Sequence, residues 1–441
     1  YGAHYNPSSA SAENSDAPFY VDDWIWDTYR TSHPLRILID AELERDMLNS
    51  YIALADSSPE KWMPTFPQIF GDAHAMNGNH AAIAFADAAA KNLGGVDYKK
   101  AALLIKNTLE TATLTPWSRS PRNELDEFYD EFGYFPALAY GEGESAAAVN
   151  KFERRQSVAV TLAAAYDDLC LSRLLRKIGD APAAEKFERR AQNYKNLFNP
   201  ETKFFHPKDR SGEFIQPLDY RFAGGLGFRD FYDENNAYTY RFDTAGDPEN
   251  LVRLFGGKKE LSRALDGLLT TPLGKPKREF YAENGPDQTG NIGQLAIGNE
   301  PSFHIPYLYN YAGEPHKTQK LTRQILKTWF RNDLMGVPGD EDGGAMSAFV
   351  VFTQLGFYPI APGIAAYEIT SPVFTESQIA LSNGKTFKIS ARNNSEKNKY
   401  ISSAKLNGKE LKSPRLTHEQ IMSGGELVLE MSARPSGALK E

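Results

Sequence analysis

The chain has 441 residues, of which 41% are apolar and 12% aromatic, and it carries a net charge of −8 at pH 7. This composition is typical of a folded globular protein rather than a disordered one, and the length exceeds what one small core requires. The acidic balance argues against a nucleic-acid binder, which needs a basic surface to neutralise phosphates.

Targeting and redox features are sparse in this sequence. No stretch approaches the roughly 20 consecutive apolar residues of a membrane span, and Tyr1–Tyr5 lacks the charged and apolar regions of a signal peptide. The single cysteine, Cys170, lies in a periodic apolar run. We expect it to be a buried core thiol rather than a nucleophile.

Apolar residues at helical spacing dominate the first four-fifths of the chain, with long polar connections between them. The expected loops are Trp117–Ser145, Phe204–Glu234 and Thr270–Glu300. Loops of this length are uncommon in compact domains unless they are functional, so a helical barrel whose connections wall a pocket would produce this layout. The predicted helices are Pro34–Ala55, His80–Asn92, Tyr98–Ala112, Ser157–Ile178, Ala181–Phe198, Lys258–Leu269, Thr318–Phe330 and Gly344–Leu355.

The pattern changes near Ala365, where short alternating runs replace the helical periodicity. Tyr367–Thr370, Lys388–Ala391 and Leu427–Met431 are predicted strands, separated by Asn-Gly turns. The sequence therefore predicts a helical domain over residues 1–364 and a small β module over residues 365–441.

A dense acidic cluster, Asp340-Glu341-Asp342, lies between glycines directly before a predicted helix. In an extended loop Asp340 and Asp342 project to the same side, and the flanking glycines let the backbone approach a ligand closely. An EF-hand is excluded because its twelfth position, counted from Asp340, is Val351 rather than glutamate. A helix N-cap cluster remains an alternative interpretation.

Two further segments place carboxylates in turns. Glu300 precedes Pro301 and follows Asn299, so it sits in a fixed turn that suits a hard cation or sugar hydroxyls. Glu234 lies among amides and aromatic residues, where the pKa of a carboxyl group can rise to suit a general acid.

The segment Trp24–Thr31 combines two indoles, the carboxylate of Asp27 and the guanidinium of Arg30. A local ion pair explains the two charges as well as a binding site does.

Six segments, taken in order, resemble the helical domain of glycoside hydrolase family 92. They run from about residue 20 to residue 360. The matching segments are Trp26–Thr31 with His33–Leu35, Ser157-Val158 leading to Ala165–Asp168, Glu234–Tyr240, Gly298–Ser302, Tyr307–Gly313 with Lys317–Gln319, and Gly339–Ala348 continuing to Leu355–Pro359.

The resemblance implies a mainly α fold, an (α/α)6 barrel followed by a C-terminal β-sandwich-like module. It implies exo-acting hydrolysis of terminal α-mannose from mannans or N-glycans, with inversion and with a calcium ion that engages the O2 and O3 hydroxyls. Linkage is expected to be α-1,2, with α-1,3 or another linkage as alternatives. The location implied is periplasmic, secreted or at the cell surface of a bacterium.

The same resemblance assigns roles to individual residues. Glu234 corresponds to the general acid, and Asp340 and Asp342 to the pair that holds and activates water, with the base itself left open. An inverting pair stands roughly 6.5–9.5 Å apart to admit that water. Glu300 is the expected calcium ligand. The expected substrate-binding residues are Trp26, Asp27, Arg30, Glu283, Asn299 and His304.

Three departures from the family pattern are visible. The family's N-terminal β-sandwich is not in this chain, and we expect such a domain or fragment to pack against it. The region Tyr281–Asn284 lacks the histidine of a His-Glu pair that accompanies α-1,2 specificity upstream of the match to Thr289-Gly290. Phe303 replaces a usual histidine, and Ala345 a usual glutamine.

Two other classes of protein remain alternatives. Another (α/α)6 enzyme, such as an α-glucosidase or a trehalase relative, would act on glucosides and be indifferent to chelators. A non-catalytic glycan-binding protein would not need Glu234, Asp340 or Asp342, so the presence of all three favours an enzyme.

Overall fold

The computed structural model describes residues 2–221 and 229–439. The predicted loop Phe204–Glu234 therefore includes residues 222–228, which lie outside the described part. The α-helices are α1 Ile25–Thr28, α2 Ser32–Ile39, α3 Ala41–Ser57, α4 Ala81–Ala90, α5 Tyr98–Thr111, α6 Glu124–Phe132, α7 Ser157–Lys177, α8 Ala181–Arg190, α9 Ala237–Tyr240, α10 Pro248–Phe255, α11 Lys258–Thr270, α12 Lys277–Asn284, α13 Leu308–Tyr311, α14 Pro315–Trp329, α15 Ala345–Leu355 and α16 His418–Met422.

Short 3-10 helices occur at Asn193–Leu197, Glu300–Ser302 and Ile305–Tyr307. The strands are β1 Gly2–Asn6, β2 Ser11–Ser15, β3 Pro67–Gln68, β4 Gly71–Asp72, β5 Phe198–Asn199, β6 Phe204–Phe205, β7 Asn291–Ile292, β8 Leu295–Ala296, β9 Phe357–Tyr358, β10 Ala366–Ile369, β11 Glu376–Ala380, β12 Thr386–Arg392, β13 Tyr400–Leu406, β14 Lys409–Glu410, β15 Arg415–Thr417 and β16 Gly425–Ser432.

Helix ends explain where the predictions failed. The single helix predicted over Pro34–Ala55 is wrong, because the chain breaks at Asp40. The side chain of Asp40 accepts a hydrogen bond from the backbone N–H of Leu43 and so starts α3 as its N-cap. The helix predicted to reach Phe198 ends at Arg190 and continues as a 3-10 turn.

Two helices lie inside segments predicted as loops. One is α6, which begins with a capping box formed by Asn123 and Asp126. The other is α12, which occupies part of the predicted loop Thr270–Glu300. Both are short, so their periodicity is weak against the surrounding glycine and proline residues.

The helical core is centred on α7, which is buried along most of its length. It packs against α4, whose alanine side chains allow close approach, and against α5 and α8. None of the helices in the described ranges is long and apolar enough to cross a bilayer.

The C-terminal part is a β module. Its five-stranded sheet has the order β11-β12-β16-β13-β14, in which β12 and β16 are parallel and the other pairs antiparallel. A smaller sheet, β15-β10-β9, joins this module to the strand that directly follows α15. The predicted fold class, mainly helical with a C-terminal β module, is confirmed, whereas the boundary at residue 364 stays a prediction.

The helices and the β module share buried contacts. The ion pair between Lys91 and Asp87 is fully buried, and Asp87 also accepts a hydrogen bond from the backbone N–H of Gly363. The ammonium group of Lys91 lies 4.9 Å from the ring centroid of Tyr367 in β10. These contacts fix the segment after α15 against the helical core.

Candidate functional site

Four segments bring the predicted site residues together. Asp27 lies in α1, Glu300 at the start of a 3-10 helix, and Asp342 in the loop before α15. Glu234 lies in the turn before α9. Asp27 is 4% exposed and Glu300 is fully buried, so these carboxylates line the inside of the fold and not its surface.

Glycines allow three of these segments to touch. A Cβ atom at Gly339 would stand 2.0 Å from the carbonyl oxygen of Gly298, and Gly339 has a φ of +70°. A Cβ atom at Gly343 would lie 3.2 Å from Cγ2 of Thr28 in α1. Only glycine permits both the backbone angle and this approach, so the acidic loop is held directly against the Glu300 turn and α1.

The result is a cluster of three carboxylates. One oxygen from each of Asp27, Glu300 and Asp342 lies within 4.8 Å of the other two. Neither carboxylate oxygen of Glu300 accepts a hydrogen bond from a described residue, and the same is true of Oδ1 of Asn299. Buried acceptors without a donor are rare and unfavourable, and oxygen ligands of this kind suit a hard cation such as Ca²⁺.

The electrostatics of the cluster point the same way. Burial, followed by repulsion from Asp342 and Glu234, raises the pKa of Asp27 well above its usual value. Burial and the charges of Asp27 and Asp342 do the same to the pKa of Glu300. Burial, Glu234 and Asp340 raise the pKa of Asp342 to about 7. The ionised cluster is thus unfavourable without a compensating positive charge.

The neighbouring acid, Glu341, has a different role. Its two carboxylate oxygens accept hydrogen bonds from the backbone N–H groups of Gly344 at 2.8 Å and Ser347 at 3.0 Å. Glu341 therefore stabilises the first turn of α15. The helix-capping alternative applies to Glu341, and it leaves Asp340 and Asp342 available for the site.

Glu234 is held in an unusual conformation beside the cluster. Its φ is +57°, in the left-handed region that a glutamate rarely adopts. Oε2 accepts a hydrogen bond from Nδ2 of Asn299 at 2.9 Å, and Oε1 lies 3.5 Å from the guanidinium of Arg229. Its backbone carbonyl accepts from the amide of Gln288 at 2.8 Å. Strained backbone of this kind persists where surrounding contacts impose it, often at functional sites.

A buried network that the sequence did not reveal supports Glu234 from behind. Asp233 is fully buried and accepts a hydrogen bond from Nδ2 of Asn77 at 2.7 Å. Arg229 lies 3.3 Å from Asp233 and donates to Glu153 at 2.5 Å. Because Arg229 is shared among three carboxylates, it orients the turn that carries Glu234.

The predicted aromatic and cationic residues lie next to the cluster. The guanidinium of Arg30 stands 4.7 Å from the ring centroid of Trp26 and 4.5 Å from that of Tyr29, and it donates to the backbone carbonyl of Trp26. The positive charge of Arg30 acts to lower the pKa values of both Asp27 and Glu300. Arg30 therefore acts on two members of the cluster and is not only a local ion-pair partner of Asp27. His304 is partly buried, and its Nε2 donates to the carbonyl of Phe242 at 2.8 Å, which fixes its tautomer.

Glu283 lies apart from these groups. It is near the end of α12, and its carboxylate pairs with Lys275 at 2.5 Å while 42% of the side chain is exposed. Asp287, three residues after α12 ends, lies within range of the site instead. Burial and the charges of Glu234 and Asp340 raise its pKa to about 7. Asp287 has no distinguishing feature in the sequence beyond its place before Thr289-Gly290.

Comparisons with known proteins identify the family of this chain. Residues 1–433 match the catalytic domain of Glycosyl hydrolase family 92. The chain is 29% identical over 418 residues to a protein described as an uncharacterized secreted glycosidase of Arthroderma benhamiae, over 88% of this chain and 49% of that protein.

Two solved structures from Bacteroides thetaiotaomicron are also similar. One is a family GH92 α-mannosidase in complex with mannoimidazole, with a TM-score of 0.87, 31% identity, and coverage of 100% of this chain and 55% of that one. The other is a GH92 inverting mannosidase with a TM-score of 0.84, 30% identity, and coverage of 100% and 57%. The chain spans about half the length of these relatives. It belongs to glycoside hydrolase family 92.

Proposed function

We propose that this chain carries the catalytic centre of a calcium-assisted, inverting exo-α-mannosidase that removes terminal, non-reducing α-mannose from glycans. The observation that carries the proposal is the three-carboxylate cluster beside Glu234, in which both oxygens of Glu300 lack a donor among the described residues. The two similar mannosidase structures support mannose as the sugar that is released.

Glu234 is the proposed general acid. Its carboxylate is 16% exposed, so it can reach a glycosidic oxygen, and Asn299 holds it in place. It gives its proton to that oxygen as the bond to the anomeric carbon breaks, which makes the departing sugar a neutral alcohol.

Asp340 and Asp342 are the proposed pair that acts on the water. They lie in one loop fixed by Gly339 against the Glu300 turn. One of them accepts a proton from the water as its oxygen attacks the anomeric carbon from the face opposite Glu234, which inverts the configuration. Burial and the neighbouring carboxylates raise the pKa of Asp342 to about 7 when no cation is bound, and a bound cation would lower that pKa.

Asp27, Glu300 and Asp342, together with Oδ1 of Asn299, are the atoms that would hold calcium. When bound, the ion would offer coordination positions to the O2 and O3 hydroxyls of the terminal mannose and so position the sugar. Trp26 and Arg30 would contact the same sugar, and His304 would support this wall from beneath through its bond to Phe242.

The residues around Asp287 are the proposed determinants of linkage specificity. Its carboxyl group is within electrostatic range of Glu234 and Asp340, as expected for a group near the departing sugar, whereas Glu283 is paired on the surface. We propose α-1,2-linked mannose first, with α-1,3 or another linkage as the alternative. We also propose that an N-terminal β-sandwich packs against this chain and that the protein is secreted or periplasmic, like the secreted fungal relative.

The test is mannose release from a panel of linkage-defined α-oligomannosides by the full-length protein, with the product followed by NMR. We expect β-mannose as the first product, loss of turnover on chelation and recovery with added calcium. Initial formation of α-mannose would contradict inversion. Full activity in excess chelator, with calcium absent from the protein by elemental analysis, would contradict the proposed role of calcium. Hydrolysis of α-glucosides but not of α-mannosides would contradict the proposed substrate class.

A further inference from the structure

A second pocket lies beside the candidate catalytic centre. It opens between the end of α5 and the segments 62–65, 74–79 and 113–118, and it encloses about 50 Å³. Its walls include Trp62, His74, Asn77, Asn79 and Trp117. None of these residues was singled out by the sequence.

Asn79, which lines the pocket, has a buried polar atom without a hydrogen-bond partner among the described residues. Asn79 is 5% exposed; its Nδ2 donates to the carbonyl of Met63 at 3.2 Å, and its backbone N–H donates to Asp167 at 2.6 Å. No described residue donates to its Oδ1. A buried carbonyl oxygen without a donor is unfavourable unless a ligand or water supplies one.

The rim is aromatic and conformationally constrained. Trp117 is 38% exposed and has a φ of +55°, while His74 and Met76, which also line the pocket, have φ values of +48° and +66°. The backbone N–H of Trp117 donates to the carbonyl of Met76 at 3.1 Å. Left-handed backbone is unusual for bulky residues, and it is maintained here at an exposed indole.

The chemistry of the pocket suits a neutral ligand. Apart from His74, whose pKa is lowered by burial, its described lining contains no ionisable side chain of Asp, Glu, Lys or Arg. An indole face offers apolar contact area, and the orphaned amide oxygen accepts one hydrogen bond. A hexose presents both complements, an apolar C–H face and a hydroxyl donor. The enclosed volume admits a hydroxyl or hydroxymethyl group, with the ring remaining at the mouth.

The pocket shares a wall with the catalytic centre. Asn77 lines it and donates to Asp233, the neighbour of Glu234 in the chain. On the other side, Met76 belongs to the same apolar cluster as Trp26. A glycan with several sugar units could therefore engage both places at once.

We propose that this pocket is an accessory site for a second hexose unit of the glycan, whose ring stacks on Trp117 while a hydroxyl donates to Oδ1 of Asn79. The assignment of that hexose as mannose rests on the proposed function. Binding at two places on one chain strengthens the hold on oligosaccharides and leaves single-sugar substrates unaffected.

The test measures binding of an α-linked mannotriose by calorimetry to full-length Glu234→Gln, so that the ligand stays intact. Adding Trp117→Ala should weaken the Kd roughly tenfold, equivalent to about 1.4 kcal/mol. Trp117→Phe, which keeps a ring, should recover most of this loss. Phe374→Ala is the matched control, because it also removes a half-exposed aromatic ring, in the β module. It should leave the Kd unchanged.

A kinetic arm separates this inference from the proposed function. With Glu234 intact, Trp117→Ala should raise the KM for the mannotriose and leave the KM and kcat for an aryl α-mannoside unchanged. An equal Kd for the triose in the Trp117→Ala and parent proteins, or no binding of the triose to either, would overturn the accessory site. Failure of the wild-type protein to hydrolyse any α-mannoside would instead contradict the proposed function and, with it, the assignment of the hexose as mannose.

Discussion

The effect of Glu300→Gln on the free energy of unfolding should depend on calcium: the substitution should be neutral or stabilising without the ion and destabilising with it. Without the ion, the fully buried carboxylate of Glu300 lies beside Asp27 and Asp342, and no described residue donates a hydrogen bond to either of its oxygens. Burial and these charges raise its pKa, so above the unfolded pKa the native state binds more protons than the unfolded state, and stability falls as pH rises. Glutamine has nearly the same shape and removes that charge. In chelator, the variant should therefore be at least as stable as the wild type at pH 8.

Calcium should stabilise the wild type far more than the variant. At a calcium concentration of 100 times the Kd, binding adds about 2.7 kcal/mol to the free energy of unfolding, which corresponds to a rise in Tm of about 3 °C for a chain of this length. If loss of the Glu300 charge weakens the Kd a hundredfold, the same concentration adds only about 0.4 kcal/mol to the variant. The two proteins should exchange order between chelator and calcium.

The assay is thermal unfolding by calorimetry at pH 6 and pH 8, with chelator or calcium. Glu396→Gln serves as the control, because its carboxylate is exposed and pairs with Lys327 on the surface. It should shift with calcium as the wild type does. The reasoning is refuted if Glu300→Gln gains as much Tm from calcium as the wild type, because the ion would then bind elsewhere.

Three further outcomes are expected. Glu234→Gln should lower kcat on a mannose–mannose bond by about 10²–10⁴-fold and far less on an activated aryl mannoside; equal losses in steady-state kinetics would exclude it as the acid. Asp340→Asn and Asp342→Asn should each be severe on both substrates and not add in the double variant, whereas losses below about tenfold would indicate a structural role. Burial lowers the pKa of His418 to about 3, so between pH 6.5 and 3 the unfolded state binds more protons and stability falls with acidification, by up to about 1.4 kcal/mol per pH unit. His418→Gln should flatten that slope in urea titrations, and an unchanged slope would refute its buried, neutral state.

Local chemistry allowed much of the fold to be predicted. Helices α4 and α5 lie within about two residues of their predicted ends, because alanine content, spacing and the Asp97 cap all favour the same helix. The break at Asp40 was missed, since the apolar pattern continues across it and only the cap geometry separates α2 from α3. The polar hairpin of β1 and β2 was missed because its residues do not alternate.

The site was predictable as a set of segments but not as an arrangement. Each motif contains a candidate carboxylate, yet Asp27 and Asp342 are far apart in sequence, and no spacing rule places them within one cluster. Local pattern also could not separate Glu283 from Asp287. Helix α12 ends between the two residues. Glu283 therefore pairs with Lys275 on the surface, whereas Asp287 lies within electrostatic range of Glu234.

The amide of Asn299 divides the site into two chemical halves. Its Nδ2 donates to Glu234, so its Oδ1 is the atom left without a donor in the described structure. The hydrogen bond fixes this orientation of the amide. On the Nδ2 side a carboxyl group is positioned to handle a proton; on the other side an acceptor lies next to Glu300 in the chain. Arg30 is the cation that acts on both Asp27 and Glu300, one positive charge against several negative ones. The gathered carboxylates, the amide oxygen without a donor among the described residues and the small positive charge nearby together support the proposal that a cation binds here.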